Sequence, residues 1–297
     1  MKKSSSAFSL IEVSLVVLLI SLIAAGILTT TNLIKKSRLQ TAQVLTKNSP
    51  VNDISNLVLW YETSLDSSFI GDEKTDGSAI STWYDNNPNA ATKNNATQTT
   101  TANKPLFIAN AFNSGIPAVR FDGTNDYLLF DGSGVINSSY TIFVVEQKRS
   151  SQSNNYFIGG TSNNNANLAL GYKSDTSTSL GHWSNDLDYT NSIFAYSTPV
   201  TRLHTAAFNI TPSLSNSGKR YWFNGSGTSN TIKASNTSQT DPLTAYPGSA
   251  VGRFTVNSYF NGDLAEIIIF NRNLTDAERL AVESYLGKKY NLKPTLT

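Results

Sequence analysis

The sequence predicts a mainly β protein: an antiparallel sandwich or barrel, preceded by one long amino-terminal helix and closed by a short carboxy-terminal helix. Three observations predict it. Residues 13–34 carry no charge. From residue 57 onward, short β-prone apolar runs alternate with Gly, Asn and Asp turns. Near the end, Thr275 opens a helical stretch and is followed three residues later by Glu278, the signature of a capping box.

Composition narrows the class. Asn, Ser and Thr crowd the segments between apolar runs, yet Phe, Trp and Tyr make up 10% of the 297 residues and recur inside those runs, so the chain packs rather than staying disordered. The formal net charge is +2, with no Lys/Arg run longer than two. Such a surface has no field to gather nucleic acid, and no nucleic-acid partner is expected. Without cysteine there are no disulfides and no thiolate metal ligands, which suits an exported protein that rests on its apolar core.

As a helix, residues 13–34 would span about 33 Å, the thickness of bilayer hydrocarbon, so a transmembrane helix is expected. Lys2 and Lys3 precede it, and Ala24-Ala25-Gly26 would suit a secretory cleavage site. The apolar run continues past those alanines, however. Glu12 also stands just inside its start, where a carboxylate is costly in lipid unless paired. Leu39, Ala42 and Leu45 at helical spacing carry the helix to about Thr46. Pro50, followed by Asp53 and Asn56, then breaks it.

The basic leader, the small Ala7 and Phe8-Ser9-Leu10-Ile11-Glu12 opening a long apolar helix resemble the type IV pilin and pseudopilin family over about the first 40 residues. The resemblance implies that a prepilin peptidase cuts between Ala7 and Phe8 and that the new amino terminus is methylated. That family usually has Gly where this chain has Ala7. It also implies a single-pass protein of the bacterial inner membrane with its carboxy-terminal domain outside, passing into a pilus, a pseudopilus or the cell surface, with other pilin subunits as partners. In a filament of packed helices, a buried Glu12 would pair with the Phe8 amine of a neighbouring subunit and set axial register. The bland alternative leaves Glu12 at headgroup level.

The domains so expected are a leader at 1–7, an assembly helix at 8–46, a linker at 47–56 and the β domain at 57–297. Its apolar runs fall at 57–60, 106–108, 118–121, 127–130, 141–145, 156–158, 168–172, 204–208, 219–223, 249–254 and 264–270. Three of them, ending at 121, 130 and 223, close in a pair that tolerates positive φ, Asp122-Gly123, Asp131-Gly132 and Asn224-Gly225, and Phe260 is followed by a fourth, Asn261-Gly262. These read as hairpin corners. Strands and helices do not alternate, which disfavours parallel α/β folds. The last helix spans 274–286, with Gly287 as its stop and with Leu280, Ala281, Tyr285 and Leu286 toward the sandwich.

The tail from Gly262-Asp263-Leu264-Ala265-Glu266 through Ser284-Tyr285-Leu286-Gly287, together with Val119-Arg120-Phe121-Asp122-Gly123, Thr141-Ile142-Phe143-Val144-Val145 and Trp83-Tyr84-Asp85 in that order, resembles concanavalin A-like, laminin G-type jelly rolls over residues 57–292. Enzymes of that type place two glutamates and an aspartate at E-x-D-x-x-E spacing. No such spacing occurs, and Glu266 lacks a partner carboxylate in sequence. His182 and His204 are the only histidines, and His204 lies in an apparent core strand. The chain therefore reads as a non-enzyme.

Two candidate sites remain. His182-Trp183-Ser184-Asn185-Asp186-Leu187-Asp188-Tyr189 sets aromatic faces beside amide and carboxylate groups, so Trp183, Asn185, Asp186, Asp188 and Tyr189 are the candidate sugar-binding residues. Asp122, Asn125 and Asp126 lie close in sequence. They build a turn, and the laminin G resemblance adds calcium as the cation they would hold; no other cofactor is expected. The reading that joins these parts is a minor pilin-like subunit displaying a lectin-like domain for adhesion or for binding a glycan or host surface. One alternative is a type II secretion pseudopilin that contacts exported cargo. The other, a membrane-tethered glycan hydrolase, is disfavoured by the missing carboxylates.

Overall fold

The computed structural model describes residues 10–113, 115–162, 165–183, 186–224 and 234–292. α1 (Leu10–Lys47) is one helix of 38 residues, about 57 Å long. Just beyond it, the Ser49 side chain accepts from the Val51 amide and Pro50 opens a 3-10 turn. The strands that follow are β1 (Leu57–Glu62), β2 (Thr82–Trp83), β3 (Ala96–Thr97), β4 (Leu106–Phe112), β5 (Ile116–Asp122), β6 (Leu128–Leu129), β7 (Tyr140–Lys148), β8 (Asn155–Gly159) and β9 (Ala169–Ser174). Then come β10 (Ser177–Gly181), β11 (Leu187–Thr190), β12 (Arg202–Asn209), β13 (Gly218–Phe223), β14 (Ala234–Asn236), β15 (Ala250–Val251), β16 (Arg253–Phe254), β17 (Ser258–Tyr259) and β18 (Asn261–Phe270), before α2 (Asp276–Tyr290).

Two antiparallel sheets form the sandwich. The first runs β14-β13-β12-β7-β18-β5-β4, with β1 also on β18; the second runs β11-β10-β9-β8-β15-β6-β3-β2. β18 is the spine of the first sheet. It pairs with β7 along its length, with β5 through Asn261 to Leu264 and with β1 through Glu266 to Phe270. Its alternation feeds two cores. Ile267 and Ile269 face the second sheet among Phe157, Leu170 and Leu180, while Ile268 and Phe270 face α1 and α2 among Ala42, Val282, Tyr285 and Leu286. Because both faces are covered, the strand reads as an unbroken apolar run rather than an alternating one.

Among the described residues no helix is long and apolar enough to cross a membrane. This corrects the expected transmembrane helix, and with it the single-pass inner-membrane placement. α1 has the length, but its carboxy-terminal half is charged and committed to the domain. It carries Lys35, Lys36, Arg38 and Lys47, buries Ala42 and Thr46, and sends Arg38 Nη1 to the carbonyl of Asn113 at 2.7 Å. The processing bond at Ala7 and Phe8 lies outside the described residues, as does the Glu12 side chain.

Local turn chemistry departs from expectation at three places. Asp122-Gly123 does turn, with Gly123 at φ 77°, but Asp131-Gly132 leads into a 3-10 turn. Asn261-Gly262 opens β18 instead of closing a hairpin. Thr275 and Glu278 form the expected capping box, yet α2 runs through Gly287 to Tyr290 and ends at Asn291 in the left-handed region. Its buried face is Arg279, Val282, Glu283, Tyr285, Leu286, Lys289 and Tyr290; Leu280 is half-buried and Ala281 exposed.

Candidate functional site

In the second sheet Leu128, Val251, Ile158, Leu170 and Leu180 form one row across β6, β15, β8, β9 and β10. All five are core residues. Side chains alternate along a strand, so the next row, with Leu129, Gly159 and Gly181, points away from the core. Beyond it the chain enters loops that lie side by side at the same end of the sheet. Backbone bonds lace them together: Phe130 N to Ser249 O (3.1 Å), Thr161 N to Pro247 O (3.0 Å), Thr244 N to Asn165 O (2.7 Å) and Asn165 N to His182 O (2.8 Å). The loops form one shelf.

Trp183 stands at one end of that shelf, 40% exposed. Its φ is 65°, a conformation that costs a bulky side chain about 1–3 kcal/mol and persists only where the surroundings impose it. The indole stacks on Phe254 at 5.1 Å between centroids, and Phe254 packs on Tyr156 at 4.3 Å. The β16–β17 hairpin that carries Phe254 is tied to the shelf by Thr255 N to Gly160 O (2.8 Å). Asp186 folds over Gly181, where a methyl group would come within 2.3 Å of its Oδ1. Shielding of that carboxyl raises its pKa above the usual aspartate value, against the opposing charge of Lys219. Asp188 is paired with Lys173 Nζ at 2.6 Å. Tyr189 does not join them: it is half-buried and packs edge-on to Phe194 and beside Tyr221. Asn185 lies outside the described residues. Phe254 and Tyr156 were missed in the sequence because each sits in a run that reads simply as strand.

At the other end of the shelf lies an open groove of about 650 Å3, lined by Asn94, Asn95, Thr97, Leu129, Asp131 and Ser133 among others. Its wall is preformed. The Asn94 amide side chain accepts from Asp131 N (2.9 Å) and donates to Asp131 O (2.8 Å), and Asn95 Oδ1 accepts from Asp85 N (3.0 Å).

The acidic turn is self-contained. Asp122 Oδ1 accepts from the amides of Thr124 and Asn125, Asp126 Oδ2 accepts from Asp122 N (3.0 Å), and Asn125 Nδ2 donates to Ala102 O (2.8 Å). Burial, with the charge of Asp122 beside it, pushes the Asp126 carboxyl up to about 7. Among the described residues no group of three or more His, Cys, Asp or Glu is placed to hold a metal ion.

The remaining titratable groups flagged by the sequence are interior. His204 is fully buried, bonded through Nδ1 to Tyr221 OH (2.7 Å) and through Nε2 to Glu146 (3.1 Å); burial lowers its pKa. His182 Nε2 meets Tyr140 OH at 2.9 Å, and burial lowers it to about 3. Glu266 is likewise buried. Trp60, Trp83 and Trp222 are core, leaving Trp183 as the exposed tryptophan.

No protein-family model matches the chain, and no curated protein matches it in sequence. Its fold is nevertheless shared with solved structures. Domain 4 of a GH43 extracellular arabinanase from Geobacillus stearothermophilus, solved with arabinotriose, is 17% identical with a TM-score of 0.50; the likeness covers 76% of this chain and 98% of that domain. An arabinofuranosidase complexed with arabinofuranosyl-α-1,2-xylobiose is 13% identical with a TM-score of 0.53, covering 82% of this chain and 65% of that one. A Trypanosoma rangeli sialidase mutant with trans-sialidase activity is 11% identical, with a TM-score of 0.51, covering 80% and 34%. The chain thus spans nearly all of the arabinanase domain and about a third of the sialidase. At these identities the likeness establishes a β-sandwich fold and nothing further.

Proposed function

We propose that the sandwich is a carbohydrate-binding domain and that its loop shelf receives the ligand. One observation carries the reading: Trp183 is held half-exposed in a strained backbone conformation, with its ring backed by Phe254 and Tyr156 and with Asp186 over Gly181, two residues before it. A sugar ring offers an apolar C–H face to a rigid indole and hydroxyls to a neighbouring carboxylate. A core tryptophan would need neither the strain nor the exposure. The arabinanase domain solved with arabinotriose and the arabinofuranosidase complex, which share the fold, support the same ligand class. Binding is favoured over hydrolysis, which needs two carboxyl groups flanking one bond; here Asp188 is committed to Lys173. The test is a glycan array probed with the full chain and its Trp183→Ala variant, with and without calcium. Glycans retained by the wild type and lost by a folded variant support the reading; retention by both removes Trp183 from it. A calcium requirement would assign the metal a role at Asp122, Asn125 and Asp126.

α1 favours a second, compatible reading. Ile11, Val13 and residues 15–20 expose apolar side chains well away from the docked end of the helix, and Leu33 and Ile34 are exposed where the docked half begins. Contiguous exposed apolar surface marks a protein–protein or membrane contact, and packing of copies of the helix against one another, the arrangement of pilin-like subunits, would bury it. On this reading the domain is a glycan-binding minor pilin or pseudopilin. A mature terminus at Phe8 by mass spectrometry, together with loss of self-association on Val17→Glu, supports it; an unprocessed, monomeric wild type overturns it.

A further inference from the structure

The shelf has two built ends, and their placement specifies the shape of the ligand. β6, β8 and β10 run in the same direction, because each neighbouring pair in the series β6-β15-β8-β9-β10 is antiparallel. Leu128 and Leu180 occupy one row of that sheet. Asp131 is three residues beyond Leu128 and Trp183 three beyond Leu180, so both lie just past their strand ends on the same edge of the sheet. Four strand spacings of about 4.8 Å separate them, about 19 Å in all. Thr161, Pro247 and Gly248, all exposed, lie on the loops between. Gly248 has φ 61°, and a methyl group on it would meet Thr161 Oγ1 at 2.5 Å, so the two middle loops are packed closely against each other.

The ends differ in chemistry. One is an aromatic face with a carboxylate beside it. The other is a groove whose polar wall is made of Asn94, Asn95 and Asp131, with exposed Leu129 and Thr97 paired on the outward side. Carboxylates at both ends disfavour an anionic ligand, and the ammonium groups of Lys93 and Lys173 are already committed, to the carbonyl of Asn87 and to Asp188.

On these grounds, and resting on the carbohydrate-binding reading above, we infer that the ligand is a neutral, linear oligosaccharide laid across the strands, with one sugar stacked on Trp183 and a distant one hydrogen-bonded in the Asp131 groove. A single terminal sugar could occupy either end but not both. Affinity therefore depends on chain length, and the two ends contribute separably.

The experiment is calorimetric titration of the full chain with arabino-, xylo- and cello-oligosaccharides of increasing length, and with sialyllactose as an anionic control. At least one neutral series should gain tenfold or more in affinity from its disaccharide to its longest member, with sialyllactose weaker. Thr97→Trp, which fills the groove from an exposed position, should reduce the affinity of the longest chain to that of the short ones and leave the short ones unchanged. Asp131→Ala should do the same. Trp183→Ala should weaken every length. Length-independent binding, or long-chain affinity untouched by both groove variants, overturns the inference while leaving the carbohydrate reading standing. If none of these sugars binds and the array is also blank, both fall together.

Discussion

Glu62 and Glu266 stand directly opposite each other across the β1–β18 pair, and one ammonium, Lys289 Nζ, bonds both, at 3.0 and 2.8 Å. All three side chains are buried. Glu266 also accepts from Trp60 Nε1 (2.7 Å), Tyr285 OH (2.8 Å) and Tyr290 OH (2.9 Å), and Glu62 from the amide and hydroxyl of Ser64. Tyr285 in turn meets Thr46 of α1 at 3.2 Å. The cluster ties both helices to the sheet. Burial alone would raise the Glu62 pKa, but Lys289 and the serine hydrogen bonds outweigh it and hold the carboxyl below its usual value.

Replacing Lys289 by Met should therefore cost about 3–5 kcal/mol, because it leaves two facing carboxylates buried without their cation. Urea denaturation measures it. Because the folded Glu62 pKa is depressed, its contribution is present above the unfolded value and lost as pH falls through the folded one, so the variant should show weaker acid sensitivity. A loss under about 1 kcal/mol would contradict the network's structural role.

Gly115 touches α1 so closely that a methyl group there would lie 2.7 Å from the Lys35 carbonyl and 3.0 Å from Arg38 Cβ. Backbone cannot yield as a flexible side chain does. Gly115→Val should push the β4–β5 connection off the helix, break the Arg38 bond to Asn113 and cost about 1–3 kcal/mol. Limited trypsin digestion should then cut faster after Lys35, Lys36 and Arg38; an unchanged digestion pattern would mean the contact holds nothing.

Asp126 makes the folded protein sensitive to rising pH. Its folded pKa of about 7 exceeds the ordinary aspartate value of 3.8. The native state keeps a proton that the unfolded chain has lost, and stability falls as pH rises between those values. Asp126→Asn can still accept from the Asp122 amide, so it should stabilise by about 1–2 kcal/mol near pH 8, solvent around the carboxyl screening the rest, and by little near pH 3.5. Parallel thermal melts at the two pH values decide it, and an equal effect at both would refute the assignment.

Removing the chain from Asp263 onward should abolish folding rather than trim a tail. It deletes most of β18, which has partners on both sides, together with α2 and Lys289. Ile267, Ile268, Ile269 and Phe270 are each buried and worth roughly 1.5–3 kcal/mol, against a total of about 5–15 kcal/mol for a typical domain. A chain ending at Gly262 that melts cooperatively like the parent would show that the spine is dispensable.

By itself the sequence determined what is local. Short apolar runs between Gly, Asn and Asp turns gave strands, the run at 264–270 among them, and Thr275 and Glu278 gave the start of α2, because period and capping chemistry act over a few residues. The tertiary structure decided the rest. Gly287 stays helical because Lys289 and Tyr290, beyond it, reach Glu62 and Glu266 from strands more than 20 residues away. Asn261-Gly262 is strand rather than turn because Phe121 and Asp122 of β5 pair with it. Of the expected ligand loop, Trp183 and Asp186 lie on the shelf, whereas Tyr189 turns toward Phe194 and Tyr221. Phe254, distant in sequence, takes its place beside Trp183, and Asp131 its place at the far end of the shelf, only once five strands are in register. Four tryptophans look alike as letters, and only packing, which buries three and strains the fourth into solvent, tells them apart.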